Sequence, residues 1–146
     1  MKKKAIICDI DGTIANIDHR IKHWEKKPRD YPKFYETIED DKPISEIIWI
    51  VQKLCEHAEI IYLTGRHEGT RNRTKNWLND HHLPEGMLLM RGDTDFRPDV
   101  EIKKIAYYGL IYPKFDILFV LDDRQRVVKM WRDIGLRCLA VAEGNY

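Results

Sequence analysis

Five short apolar runs, at residues 4–10, 59–63, 87–90, 116–121 and 137–141, punctuate the chain and have the length of buried strands. Between them the apolar positions shift to helical spacing. The clearest case is 43–57, where Ile44, Ile47, Ile48, Val51 and Leu54 recur on one face and Pro43 suits a first turn. Helices are also predicted over about 67–80, 100–109 and 124–135, the last grouping Val127, Val128 and Trp131 and stopping at Gly135. Strands that alternate with helices predict an α/β chain with a doubly wound, mainly parallel sheet. Residues 17–42 break the alternation with charge, proline and aromatics, and are expected to form a small inserted lid over the site.

At 146 residues and 43% hydrophobic content, residues 1–146 are expected to form one domain with a single core. The formal net charge of +1 excludes a strongly basic protein that clings to any polyanion, so a nucleic-acid contact would have to be regional. Cys8, Cys55 and Cys138 are odd in number and lack metal-ligand spacing, which points to a reduced, cytosolic setting. The basic start Met1-Lys2-Lys3-Lys4 opens like a signal peptide, but the apolar run behind it stops at Asp9 and is too short to translocate. No run approaches the roughly 18 apolar residues of a membrane span, so a soluble protein with no membrane contact is expected.

Candidate chemistry begins where the first apolar run ends, in Cys8-Asp9-Ile10-Asp11-Gly12-Thr13. Asp9 falls at a strand's carboxyl end, and Gly12 lets the chain turn so that both acids face one pocket. Such a pair can attack phosphorus, one acid as nucleophile and the other as proton shuttle. Asp-Gly is also an ordinary turn former. The weight comes from the ordered groups downstream, Thr64-Gly65-Arg66, Lys103 and Asp122-Asp123, each after or beside a predicted strand. Four carboxylates gathered at one sheet edge repel each other and need a cation to stay ionised. Hard oxygen ligands with open water positions favour Mg²⁺, with Asp9, the backbone carbonyl of Asp11, and Asp122 or Asp123 as its ligands. Thr64, Arg66 and Lys103 can offset phosphoryl charge. Thr64 and Lys103 enter the catalytic set, and Thr13 joins the substrate-binding set. Asp123 also suits a helix N-cap. The six histidines form no metal motif, so no zinc is assigned.

With these motifs in place, the chain resembles haloacid dehalogenase superfamily phosphatases over nearly its full length. The motifs are Asp9-Ile10-Asp11-Gly12-Thr13, Leu63-Thr64-Gly65-Arg66, Lys103 and Leu121-Asp122-Asp123-Arg124. Residues 121–135, and Met90-Arg91-Gly92-Asp93 with Arg97-Pro98-Asp99 and Lys103, are similar to the phosphatase domain of bacteriophage polynucleotide kinase-phosphatases. The resemblance implies a Rossmann-like haloacid dehalogenase fold, Asp9 as nucleophile and Asp11 as acid-base. It also implies that Arg66, Arg91 and Asp99 help form the phosphate site, and Arg20 matches a family arginine. Two departures stand out. No Gly-x-x-x-x-Gly-Lys-Ser/Thr loop occurs, so the kinase half is absent, and the 17–42 segment is longer than that domain leads one to expect.

The expected reaction is Mg²⁺-dependent hydrolysis of a phosphomonoester through an aspartyl-phosphate, with a 3′-phosphate on a DNA or RNA end as the favoured substrate. Two alternatives stand beside it: a 5′-nucleotidase acting on nucleoside monophosphates, and a receiver-like phospho-acceptor switch module. In the lid, Arg20, Lys22, Lys26, Lys27, Arg29 and Lys33 outnumber Glu25 and Asp30. Trp24 and Tyr31 are there either to stack on bases or to pin the lid to the body. Arg71, Arg73 and Lys75 form either a second strand-binding stretch or a solvated surface. A separate kinase or ligase partner is compatible with this reading, though nothing in the chain encodes one, and oligomeric state leaves no mark in the sequence. A cytoplasmic location is expected, the host's cytoplasm if the chain is phage-encoded.

Overall fold

The structure is a computed structural model and describes all of residues 1–146. In chain order it runs β1 (Lys3–Cys8), β2 (Ala15–Asn16), α1 (Ile21–Glu25), α2 (Tyr31–Tyr35), β3 (Lys42–Pro43), α3 (Ser45–Leu54), β4 (Glu59–His67), α4 (Arg71–Asp80), β5 (Met87–Arg91), α5 (Asp99–Ala106), β6 (Phe115–Arg124), α6 (Gln125–Asp133) and β7 (Cys138–Gly144). The main sheet has the order β5-β4-β1-β6-β7, and every neighbouring pair in it is parallel. This is the doubly wound α/β arrangement the alternation predicts.

Period-two burial explains why both faces need helices. On β1, Ile6 and Cys8 join a cluster with Ile48, Val51 and Trp77 of α3 and α4, while Ala5 and Ile7 join the opposite cluster with Val127 and Trp131 of α6. On β4, Ile60 and Tyr62 face the first cluster and Ile61 and Leu63 the second. The insertion between β2 and β3 has its own small core of Ile17, Trp24, Phe34, Tyr35 and Ile38. β2 and β3 close its neck as an antiparallel pair.

The element boundaries depart from the sequence pattern in instructive places. Pro43 lies in β3 opposite Ala15, rather than in the first turn of α3, which starts at Ser45. The chain around residue 67 continues β4 and then makes a 3₁₀ turn at Glu68–Thr70, so α4 begins only at Arg71. β4 and β6 both run on through polar residues, to His67 and Arg124, where periodicity alone suggests strand ends. Each has a register shift there, between Leu63 and His67 and between Asp122 and Arg124. Such irregularities re-aim side chains beside active sites.

The register of β6 against β1 also shifts at Ala5 and Ile6, leaving Leu118 unopposed and 44% exposed. Ile7, by contrast, is 1% exposed at the centre of the sheet. Ile7→Ala should therefore destabilise the fold by about 2–5 kcal/mol, whereas Leu118→Ala should stay within about 0.5 kcal/mol of the parent. Urea unfolding followed by far-UV circular dichroism checks both, and equal losses would mean that the register of β6 against β1 is assigned wrongly.

Candidate active site

The acids converge because β1 and β6 are neighbours and deliver their carboxyl ends to one sheet edge. Asp9 continues β1 through a hydrogen bond from its N–H to the Leu121 carbonyl at 3.0 Å. Gly12 then turns the chain with φ +82°, and a Cβ there would collide with the Asp123 carboxylate. Only glycine lets the loop pass so close to a site carboxylate. Carboxylate oxygens of Asp9, Asp122 and Asp123 all lie within 4.8 Å of one another, and all three residues are buried.

One cation sits inside this group. Lys103 Nζ, carried on α5, donates to Asp9 Oδ1 and Asp122 Oδ2, each at 2.8 Å. Burial works against its charge, but Asp122 and Asp9 outweigh burial and keep it an ammonium. Burial pushes the Asp9 carboxyl up, with Asp122 adding to the push and Lys103 opposing it. Asp123 is raised too, chiefly by burial. One ammonium does not neutralise three carboxylates, so the cluster has the charge and the hard oxygen donors that suit a divalent cation. Asp122 is the least free of the three. Its Oδ1 accepts the N–H groups of Asp123 and Arg124 at 2.9 and 3.3 Å, and its Oδ2 accepts Lys103 and, at 3.4 Å, the Trp131 indole N–H. Asp123 does not cap α6, whose N-cap position is Arg124; its side chain turns into the site instead. There the Thr13 hydroxyl lies 3.2 Å from Asp9 Oδ2 and 3.3 Å from Asp123 Oδ1.

Asp11 has the opposite environment. Arg20 Nη2 donates to its Oδ1 at 2.8 Å, and Arg66 Nη2 and Nε donate to the same oxygen at 2.7 and 3.0 Å. Burial alone would raise this carboxyl, but Arg66 and Arg20 prevail and hold it at about 2. All three nitrogens of each guanidinium are engaged. Each also donates to Asp41 Oδ2, at 2.6 Å from Arg20 and 3.0 Å from Arg66. Arg20 further donates to Asp41 Oδ1 at 2.7 Å and to the Phe34 carbonyl, and Arg66 to the Thr74 hydroxyl. The resemblance assigns Arg66 to phosphate and matches Arg20 to a family arginine. In the structure their donors lie on the carboxylates of Asp11 and Asp41, where both buried guanidiniums are neutralised.

Arg91 and Asp99 are placed similarly. Asp99 bridges Arg91 and Arg124, and Arg91 also donates to the Gly65 carbonyl at 2.9 Å. A Cβ on Gly65 would lie 2.5 Å from Asp99 Oδ1, so this carboxylate is pressed against the Thr64-Gly65 backbone. Asp99 thus holds the two guanidiniums of Arg91 and Arg124 in place beside the recess. Thr64 is buried at the recess, its hydroxyl accepting the Arg66 N–H at 3.1 Å.

The lid's aromatics pin it to the body. Trp24 is 7% exposed and packs on Phe34, with ring centroids 5.3 Å apart. Tyr31 packs between Trp24 and His67. Arg71 is paired with Glu68, and Arg73 with Glu39 and the Tyr35 carbonyl, so neither is a free strand-binding cation. Two site residues escape sequence reasoning. Asp41 lies at the lid's exit with no motif around it, and only the acidic pair Asp40-Asp41 before the predicted helix hinted at it. Tyr146 has no local signal at all, yet its hydroxyl lies 2.7 Å from Asp123 Oδ2 and 3.2 Å from the Asp11 carbonyl, showing that these two oxygens face one point.

Asp41→Asn removes a charge on which two buried arginines depend. Its expected cost is about 3–5 kcal/mol of stability, and turnover should fall because Asp11 loses its fixed frame. Thermal unfolding and phosphatase assays check the pair of effects, and a variant of parental stability would show that Asp11 alone suffices to hold both guanidiniums.

Comparison with known proteins fits this geometry. A viral protein described as a bifunctional polynucleotide kinase/RNA ligase, from Autographa californica nuclear polyhedrosis virus, is 28% identical over 136 residues, covering 91% of this chain and 18% of that protein. Two solved structures described as the Pnkp1/Rnl/Hen1 complex and the Pnkp1/Rnl/Hen1 RNA repair complex match with TM-scores of 0.87 and 0.85. Each is 30% identical and covers 99% of this chain, with 48% and 44% of the other chain. The chain thus spans about half or less of these relatives. A hydrolase from Streptococcus pneumoniae TIGR4, at 11% identity and a TM-score of 0.58, shares the fold. The family model described as the polynucleotide kinase PNKP phosphatase domain, within the haloacid dehalogenase group, matches residues 3–146, and the chain belongs to that family.

Proposed function

We propose that this chain is a Mg²⁺-dependent phosphomonoesterase that removes 3′-phosphates from polynucleotide ends through an aspartyl-phosphate. The observation that carries the reading is the convergence of Asp9, Asp11, Lys103 and the Asp122-Asp123 pair in a chain of this phosphatase family. Asp9 attacks phosphorus in line, and the ester P–O bond breaks with its electron pair leaving on the 3′ oxygen, which takes a proton from Asp11. Water then attacks the aspartyl-phosphate while Asp11 accepts its proton, and inorganic phosphate leaves. The two arginines keep Asp11 ionised before substrate arrives, which suits the second step. For the first, the negative charge of the arriving phosphoryl group raises the proton affinity of Asp11.

Asp9, Asp123 and the Asp11 carbonyl would hold Mg²⁺, with Asp122 holding Lys103 in place beside them. When bound, the ion supplies Lewis-acid stabilisation of charge on the transferring phosphoryl group. Lys103 offsets the same charge from the Asp9 side, and Thr64 offers its hydroxyl and nearby backbone N–H. The relatives' descriptions name RNA repair and a kinase/ligase, which favours an RNA end and a kinase or ligase working alongside. The family match also favours turnover over a phospho-acceptor switch.

The direct test measures Mg²⁺-dependent phosphate release from a short oligonucleotide with a 3′-phosphate, its 5′-phosphate isomer and the matching mononucleotides. The 3′-phosphorylated strand should be preferred, and Asp9→Asn should lose about four orders of magnitude or more in kcat. Preference for nucleoside monophosphates would move the function to nucleotide metabolism, and stable protein-bound phosphate without release would restore the switch.

Asp11→Asn separates the two half-reactions. An aryl phosphate has a leaving group that needs no proton, so p-nitrophenyl phosphate should give a burst of about one equivalent of nitrophenol and then slow turnover. Steady turnover at the parental rate, followed by stopped-flow absorbance, would remove Asp11 from the acid-base role.

A further inference from the structure

The catalytic recess continues into a second groove, with Trp24, Asp99 and Arg124 bordering both. The groove is open to solvent and encloses about 130 Å³. Its walls carry five arginines (29, 91, 97, 124 and 126) against the single carboxylate of Asp99, in a chain whose formal net charge is +1. Three of the five are engaged: Arg91 and Arg124 hold Asp99, and Arg97 holds Asp95 at 2.7 Å. The other two have no carboxylate partner. Arg29 donates to the Trp24 carbonyl at 3.2 Å and lies 3.9 Å over the indole, and Arg126, in the first turn of α6, stands exposed with no ion pair.

The groove also has an aromatic face. Phe96 is 60% exposed, while Tyr31 and His67 hold its ring from the other side at 5.4 and 5.5 Å between centroids. The buried Trp24 indole N–H finds no hydrogen-bond partner in the protein. Guanidiniums without a carboxylate partner beside an exposed aromatic ring are the elements that track a single nucleic-acid strand, one supplying phosphate contacts and the other a stacking surface.

We propose that this groove seats the nucleotide next to the reacting 3′ end, its phosphodiester on Arg29 and Arg126 and its base against Phe96. The inference rests on the polynucleotide reading above and adds to it the path of the strand. Association through this groove is a phosphate contact, so it weakens with salt, and a nucleoside 3′-phosphate lacks the group that uses it. A substrate with one further nucleotide gains the whole benefit.

The experiment compares kcat/KM for a nucleoside 3′-phosphate with that for a 3′-phosphorylated di- and trinucleotide, in the parent, Arg126→Ala, Arg126→Glu and Lys129→Ala. Lys129 is an exposed cation of the same helix outside the groove, paired with Asp133 at 2.6 Å, and controls for general loss of charge. In the parent, the gain with length should come at the dinucleotide. Arg126→Ala should cut the dinucleotide-to-mononucleotide ratio about tenfold and lower the salt slope by about one, with Arg126→Glu cutting it further and Lys129→Ala leaving it alone. A parental strand preference that survives Arg126→Glu, or falls equally in Lys129→Ala, overturns the groove while leaving the 3′-phosphatase reading intact. A parent that hydrolyses p-nitrophenyl phosphate but no 3′-phosphorylated strand overturns both.

Discussion

Arg20 and Arg66 are each 1% exposed, and a guanidinium shut away from water has to be neutralised where it lies. Much of the site derives from that constraint. Arg20 enters from the lid and Arg66 from β4, and both bridge Asp11 of the first motif to Asp41 at the lid's exit. The same four side chains therefore close the insertion onto the sheet, fix Thr64-Gly65-Arg66 beside β1, and hold the Asp11 carboxylate in place. Trp77 of α4 seals the knot from behind, its indole N–H donating to the Asp41 carbonyl at 2.9 Å.

A second consequence concerns the two aspartates of one motif. Asp9 and Asp11 stand two residues apart and experience opposite fields: burial and Asp122 push Asp9 up, while Arg66 and Arg20 overcome burial to hold Asp11 at about 2. Separation of this kind is how a pocket assigns different roles to chemically identical groups. In the proposed reaction Asp9 would draw cationic help from Lys103 and from the divalent ion its acidic neighbours suit, whereas Asp11 is already held ionised by its two arginines.

The fold was legible in the sequence because burial on both faces of a parallel sheet leaves continuous apolar runs, and the five runs are the five strands of the main sheet. The strand ends were not, because Thr64, Gly65, Arg66, Asp122 and Asp123 are polar for the sake of the site and yet keep strand geometry. The order of the motifs was enough to group Asp9, Asp11, Lys103, Asp122 and Asp123, and the fold brings those residues together in space. What spacing does not encode is the partner each charge chooses. Arg20 and Arg66 meet carboxylates because Asp41 returns from a 26-residue insertion, residues 17–42, whose exit carries no pattern. Tyr146 reaches Asp123 from the far end of the chain by a contact no local signal marks.

These contacts also change what the insertion is. Its place after β1 suggests a lid that opens and closes, but opening it would pull Arg20 from Asp11 and leave buried charges unpaired, at a cost of about 3–5 kcal/mol. It would also break the pairing of Arg73 with Glu39. The insertion is tied to the body of the recess at its neck, at its arginine and at α4. Past Trp24 and Arg124 the recess opens into the arginine-lined groove, so the path proposed for a strand needs no movement of the insertion.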